Sequence, residues 1–499
     1  MKTFYLPAAL LAMCALNSAP SYAAQSPADI QSENIFHAFN WTFNEIRNHL
    51  QEIADAGYGA IQVSPVQGNA AANADWFYAY LPYDFAFTGN GNGTKGQLRN
   101  LCAEAKEKGL AVIVDVVANH MNPKSGFRAA WWNESGRLRN SSAVNYNNRY
   151  SITHGNLGNY QDVNSEDPEV QARCKEFIQQ LKEIGVSGIR WDAAKHIGLP
   201  SEDCAFWAKM AEVEGLWHYG EILDNPGTNS DSQWNVMKEY MQYMSVTDNM
   251  LPSSMLSNVG AGKMPSKVTN LAAPKTDGGQ ELDAKKLIYW GESHDTYSNE
   301  GGQTKYVSQS AIDNIYMILG CRKDEAALYF SRPEKKGYTE IKMGKTGSLN
   351  GLQSKGIVAV NTYRKLMKGF DEVNASRFGS DGWFINVRRD HGAFIVIPVG
   401  TAGKDISIPN PEGALPAGEY TDEIGGGQFT VTATTISGHV GGENAAVLYR
   451  GGIGAIDDIE FENRDVTPVY YDLTGRRVSS PDKGIFIKVE GSKRTKVIL

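Results

Sequence analysis

Several stretches of this 499-residue chain combine residue types able to do nucleophilic and acid–base chemistry. In Gly188-Ile189-Arg190-Trp191-Asp192-Ala193-Ala194-Lys195-His196, Arg190 and Asp192 stand two apart in an apolar, strand-like run and so point to the same face. A guanidinium beside a carboxylate favours the ionised acid, the form a nucleophile needs. Trp191 then points the other way, toward covering helices. Glu221 follows Leu216-Trp217-His218-Tyr219-Gly220, a strand end where no capping role accounts for a carboxylate. If it shares an apolar mouth with Asp192 and Asp295, its pKa should rise and it should hold a proton, as a general acid must. Such a pair can serve both halves of a double displacement at a sugar carbon: one carboxylate attacks, while the other first gives and then takes a proton. Asp192 alone also reads as a helix cap after a strand; the company of two more acids favours chemistry.

A metal-dependent hydrolase is a competing reading, because Asp115, Asn119, His120, His196, His294 and Asp295 could form a ligand cluster. Spacing argues against zinc. No His-x-His ends the first strand, which reads Phe36-His37-Ala38-Phe39, and the ion would sit beside a Lys and an Arg. Asn119 and Asp162, both oxygen donors, better suit a structural calcium between the main body and an inserted segment.

The elements that must carry these residues follow a repeated pattern of amphipathic helix, glycine stop and apolar strand. Thr42 to Ala56 opens with a Thr42/Glu45 capping box, turns Ile46, Leu50, Ile53 and Ala54 to one face, stops at Gly57 and leads into Ala60–Ser64. Thr94 to Lys108 repeats this with a Thr94/Gln97 box, a stop at Gly109 and a strand from Leu110 to Val117. A third unit has Asp167 as cap, Pro168 at the first helical position, Gly185 as stop and Val186–Trp191 as strand. Further strands are expected at 216–220, 243–248, 286–291 and 326–330. Apolar strands alternating with helices imply a parallel sheet covered on both faces, and the count suits an α/β fold of the (β/α)8 barrel type over 25–372. Asn119, His120, Asp192, Glu221, His294 and Asp295 then fall at the carboxyl ends of strands, where such barrels keep their active sites.

Over forty residues separate Asn119 from the helix at Asp167, which predicts an inserted domain over 121–165. After a last helix near 355–368 the apolar period changes to two, predicting an antiparallel β-sandwich over 373–452. Residues 463–499 carry eight basic and four acidic side chains and read as a short hairpin.

The net charge of −8, with no long basic run in the body, argues against nucleic-acid or anionic-membrane partners. The 10 Trp, 23 Tyr and 18 Phe offer stacking surfaces for neutral rings such as sugars. Residues 1–24 read as a secretory signal: Lys2, an apolar run from Phe4 to Leu16, then Ser21-Tyr22-Ala23-Ala24. This implies a secreted protein with no membrane span; a lipid-modified Cys14, giving a periplasmic or surface-attached form, is the alternative. Cys102, Cys174, Cys204 and Cys321 include no C-x-x-C pair and read as buried free thiols.

Asp115-Val116-Val117-Ala118-Asn119-His120, the Gly188–His196 run, Gly220-Glu221-Ile222 and Glu292-Ser293-His294-Asp295 resemble, in order and spacing, the four signature regions of the α-amylase family of glycoside hydrolases. The similarity extends over about 34–450 and is strongest toward secreted bacterial members. It implies Asp192 as nucleophile, Glu221 as acid/base and Asp295 as a third carboxylate that grips ring hydroxyls. It further implies His120 and His294 as hydrogen-bond partners of the sugar at the cleavage point, Arg190 as the residue orienting the nucleophile, and Lys195 and His196 on the leaving-group side. Tyr80 matches the tyrosine under the sugar, and Asn119, Asp162 and the His196 carbonyl match the family's Ca2+ ligands. Two positions depart: Leu81 stands where relatives often carry Gln, and Ser293 where Asn is common. The tail resembles C-terminal sorting segments of the bacterial type IX export route.

The activity implied is retaining hydrolysis of internal α-1,4 bonds in starch- or glycogen-like glucans by a monomer, with the Asp192 and Glu221 carboxyl groups about 5–5.5 Å apart. A sibling transglycosylase or cyclic- or branched-glucan hydrolase, and a non-catalytic glucan-binding protein, are the alternatives.

Overall fold

The computed structural model describes residues 27–222, 230–247, 250–265, 268, 282–400 and 403–452, and in the tail 469–472, 477–478, 485–490 and 493–498. The leader at 1–24 and Cys14 lie outside the described residues.

Eight parallel strands close into a barrel: β1 (Asn34–Ala38), β2 (Ala60–Val63), β3 (Ala111–Val117), β4 (Gly188–Asp192), β5 (Trp217–Gly220), β6 (Ser245–Thr247), β7 (Leu287–Trp290) and β8 (Ala326–Phe330). Each pairs with the next, and Asn34 opposite Ala327 closes the ring. Every residue of β3 is buried, which is why its sequence is apolar almost throughout rather than alternating. Asp115 is the exception within β3, a carboxylate with no exposed surface.

Local sequence signals explain the helices that wrap this ring. Lys95–Glu107 starts at a complete Thr94/Gln97 capping box and buries Leu98, Leu101, Cys102 and Ala105. Pro168–Ile184 starts where the Asp167 carboxylate accepts the Glu169 and Val170 amides, and ends at Gly185 with φ 110°. The first unit differs from expectation: Phe43–Asn48 and Leu50–Asp55 are two short helices split at His49 (φ −103°, ψ 6°). There the His49 ring lies edge-on to buried Trp41 at 5.5 Å, and its Nδ1 pairs with Glu52 at 2.9 Å.

The excursion after β3 is held by a two-stranded ribbon, His120–Met121 against Gln161–Asp162, and contains the helix Arg149–His154. Its two tryptophans are committed to packing. Trp132 is buried and donates its indole N–H to Asp84 Oδ1 at 2.9 Å. The Trp131 ring lies under the guanidinium groups of Arg137 and Arg173, at 4.4 and 4.8 Å.

Beyond the helix Lys355–Leu366, two four-stranded antiparallel sheets bury Ile385, Ile395, Phe429, Ile436 and Leu448 between them. This sandwich is tied to the barrel by polar contacts such as Asn314 Nδ2 to the Ile397 carbonyl at 2.9 Å. Residues 450–499 form a second unit. It is a four-stranded antiparallel sheet rather than the expected hairpin: Arg477–Val478, Val469–Asp472, Ile485–Glu490 and Lys493–Ile498, in that spatial order. The added strand begins Lys493-Arg494-Thr495-Lys496, and such charge is common on sheet edges, where it masks the strand signal.

Gly57 joins the first helical unit to β2 with φ 81°, and a Cβ there would come within 2.8 Å of Asn361 Cβ. Gly57→Ala should therefore lower unfolding stability by about 1–3 kcal/mol in a denaturant titration; an unchanged midpoint would contradict this account.

Candidate active site

Residues of β3, β4 and the end of β5 meet around one guanidinium. Parallel register sets Asp115 directly opposite Arg190 on the neighbouring strand. Arg190 Nη1 donates to Asp115 Oδ1 and Oδ2 at 2.8 and 3.0 Å and to Asp192 Oδ1 at 2.8 Å. Its Nη2 lies 2.8 Å from Glu221 Oε2. Asp192 and Glu221 thus occupy adjacent nitrogens of one planar fork, geometry that a lysine could not supply. Glu221 is positioned a second time by the Ala193 amide, which donates to Oε2 at 2.9 Å. Ala193 adopts a left-handed conformation (φ 47°, ψ 35°) that costs roughly 1–2 kcal/mol for a residue with a Cβ. Space is tight at the glycine before Glu221: a Cβ on Gly220 would meet Met244 Sδ at 2.5 Å and Ala194 Cβ at 3.0 Å.

Asp295 comes from the short helix His294–Ser298 just past β7. Ser293, the departure from the Asn common among relatives, is the N-cap of this helix and forms a capping box with Thr296. Asn299 Nδ2 holds Asp295 Oδ1 at 3.0 Å, and His294 Nε2 lies 3.3 Å from Asp295 Oδ2.

The charge balance of this mouth differs from one expectation. Burial raises Asp192, the Arg190 guanidinium pulls it back, and Glu221 and Asp115 push it up, leaving it at about 6. Burial and the Glu221 charge hold Asp295 well above the carboxylate range. Glu221 itself is not raised. Burial acts upward on it, but Arg190, the Ala193 N–H, His294 and a hydrogen bond with Asp295 together bring it below the usual value. The proton expected on Glu221 is therefore favoured on Asp295 in the free site, because Glu221 has the cation and the amide and Asp295 has neither at such range. Burial also lowers His120, His196 (to about 4) and His294 (to about 3), so these rings are neutral donors and acceptors at neutral pH.

Aromatic rings line the same mouth. Tyr80 donates its hydroxyl to Asp115 Oδ2 at 2.9 Å, and its ring stacks on His294 at 4.9 Å. Leu81, where relatives often carry Gln, only closes the 3-10 turn that holds Tyr80. His120 Nε2 contacts the Tyr80 carbonyl at 3.1 Å, and its ring stacks on Tyr160 at 4.9 Å. Phe39, beyond the end of β1, stacks on the other partner, His294, at 5.3 Å. Lys195 extends over the Tyr146 ring at 5.1 Å, and His196 Nδ1 contacts the Ile152 carbonyl at 2.8 Å. The bracing by Asp115 and the Phe39 and Tyr160 stacks were not assigned from the sequence. The only signal for them was a buried acid inside an apolar strand and aromatics adjoining strand ends.

The three calcium candidates converge beside this mouth. One branch of the Asn119 amide stands 3.2 Å from Asp162 Oδ1 and 3.1 Å from the His196 carbonyl. With nitrogen in that position the amide bridges two acceptors. With oxygen there, three oxygens face one another at separations that ligands about 2.4 Å from a shared Ca2+ can adopt. Asp162 Oδ2 is taken by Arg139 at 2.6 Å, yet burial outweighs that cation and pushes Asp162 up to about 8. The donor set, all oxygen with one undercompensated buried carboxylate, suits calcium. Among the described residues no three His, Cys, Asp or Glu side chains form a metal-binding group.

A model of the alpha amylase catalytic domain matches residues 40–156. The chain is 28% identical over 475 residues to an alpha-amylase of Butyrivibrio fibrisolvens, covering 83% of this chain and 47% of that one. Toward an alpha-amylase of Clostridium acetobutylicum the figures are 28% over 446 residues, 85% and 54%. The chain thus spans about half the length of these curated relatives. In fold it is similar to an alpha-amylase from Malbranchea cinnamomea (TM-score 0.66, 17% identity, 86% of this chain and 98% of that). It is also similar to alpha-amylase I from Eisenia fetida (TM-score 0.65, 18% identity, 86% and 99%). The signature segments, the catalytic-domain model over residues 40–156 and these relatives agree in making the chain similar to the α-amylase family of glycoside hydrolases, on a barrel fold that it shares with solved alpha-amylases.

Proposed function

We propose that this protein is an α-amylase that hydrolyses internal α-1,4 bonds of starch- or glycogen-like glucans with retention at the anomeric carbon. The observation that carries the reading is the attachment of Asp192 and Glu221 to adjacent nitrogens of Arg190, with Asp295 at the same mouth. In this reading Asp192, ionised beside Arg190, attacks C1 and forms an ester. Glu221 gives its proton to the departing glycosidic oxygen and then takes one from the water that cleaves the ester. Asp295 supplies the proton to Glu221 and grips ring hydroxyls. His120 and His294, held neutral, hydrogen-bond the sugar, Tyr80 lies beneath it, and Lys195 and His196 attend the leaving chain.

Calcium at Asn119, Asp162 and the His196 carbonyl would link the barrel strand ends to the excursion; supporting this are the three converging oxygens and the poorly balanced Asp162. The leader-like 1–24 segment supports export, and the substrate partner is an α-glucan acted on by a monomer. Among the described residues no helix is long and apolar enough to cross a membrane.

Release of reducing ends from soluble starch should disappear in Asp192→Asn and fall about 10²–10⁴-fold in Glu221→Gln; activity equal to the unaltered protein in Asp192→Asn would eliminate the hydrolase reading. Because Asp192 must be ionised and its carboxyl is raised to about 6, kcat/KM should fall as the pH drops through about 6. A rate that stays flat down to pH 4 would contradict that assignment. Chelation should lower the thermal midpoint and Ca2+ should restore it, with Asp162→Asn indifferent to both; a chelator-insensitive midpoint in the unaltered protein would count against the calcium site.

A further inference from the structure

At the opposite end of the barrel from the carboxylates, three arginines are buried with more positive charge than their surroundings balance. Arg322 lies in the turn entering β8, Arg364 in the last turn of helix Lys355–Leu366, and Arg388 at the end of the sandwich strand Trp383–Arg388. They are 7%, 4% and 1% exposed. Part of their donor capacity is used on carbonyls: Arg364 Nε on Ser32 at 2.8 Å, Arg364 Nη2 on Glu325, and Arg388 Nη2 on Cys321 at 2.8 Å. Four N–H-bearing atoms, Nε and Nη1 of Arg322, Nη1 of Arg364 and Nε of Arg388, are buried without a hydrogen-bond acceptor.

The acids at hand do not close the balance. Glu372 approaches Arg322 Nε at 3.4 Å, too poorly aligned for a hydrogen bond, and its carboxylate also accepts from Asn386. Glu325 faces Arg322 and Arg364, but burial holds its pKa above the ordinary range. Glu33, facing Arg364, is paired with Lys368 at 3.1 Å. Cys321 lies in the field of all three arginines and offers no charge, since burial pushes its thiol up to about 12. With Glu33 set against Lys368, the three guanidinium groups face two remaining carboxylates, Glu372 and Glu325, and a guanidinium cannot shed its proton to escape burial. Uncompensated buried charge is strongly unfavourable, and water bonded to these donors would bring no countercharge.

We propose that this floor, where the barrel meets the β-sandwich, binds one small monovalent inorganic anion of halide size through the unused N–H groups of Arg322, Arg364 and Arg388. A single negative charge matches the excess of one, and a spherical ion accepts several donors without directional demand. The anion would serve the joint between the two layers and takes no part in chemistry at the carboxylates, so the proposal stands independently of the function proposed above.

Two measurements test it. Crystals soaked in bromide should give an anomalous scattering peak among the three guanidinium groups; no peak there overturns the proposal. In solution, chloride titrated against gluconate at constant ionic strength should raise the thermal midpoint saturably, by about 3 °C at a hundredfold excess over Kd. Arg322→Met should flatten that response. Equal midpoints of the unaltered protein in both salts, or a full chloride response in Arg322→Met, would overturn the site. If Arg322→Met does not fold, the bromide map decides alone.

Discussion

The active mouth depends on Arg190 being able to compensate several acids at once. Asp115, Asp192 and Glu221 are all buried, and all touch the same guanidinium. Removing one member of a buried ion pair typically costs 3–5 kcal/mol, and here one cation serves three partners. The arrangement exists because β3, β4 and β5 are parallel neighbours in fixed register, so that Asp115 lies opposite Arg190 and Trp191 opposite Gly220. A slip of one residue would turn Arg190 and Asp192 to the helix face and bring Trp191 into the mouth. Trp191 opposes that slip through its seat against Phe206 and Trp207, at ring distances of 6.0 and 5.5 Å.

Around this ion cluster, the loops are braced from several sides. Arg332, just beyond β8, grips Glu292 beyond β7 with two hydrogen bonds of 2.6 and 2.8 Å, fixing the chain from which His294 and Asp295 project. The excursion contributes Tyr160 against His120 and Tyr146 beside Lys195 and His196. Polar groups from separate elements thereby acquire a common geometry before any ligand arrives, the property that electrostatic catalysis requires.

Much of this was legible in the chain because its signals are local. The Thr94/Gln97 box, the Asp167-Pro168 start and the Gly185 stop each follow from backbone groups within four residues. Arg190 and Asp192 share a face by the two-residue period alone. What escaped reading depends on contacts between distant segments. The break at His49 is a different case, a local backbone departure beside Trp41 and Glu52 that the helical spacing does not announce. The low pKa of Glu221 is set by which acid wins Arg190 and the Ala193 amide, a competition that counting neighbouring carboxylates cannot settle. The arginines at the barrel floor come from three segments whose meeting is decided by docking of the sandwich, and the last strand of the tail hides its alternation beneath Lys and Arg.

The cysteines carry a different consequence. Cys102, Cys174, Cys204 and Cys321 are unbridged and buried, and burial raises the pKa of each. Thiolate, the reactive form, is scarce in the native state, so oxidants and alkylating reagents find little to attack while the fold is closed. Cys102 and Cys174 sit on neighbouring barrel helices, Cys204 beside Ser165 and Cys321 at the sandwich joint, so the thiols report the opening of three neighbourhoods. The described residues thus carry four built-in sensors of local breathing, readable by the order in which a labelling reagent reaches them.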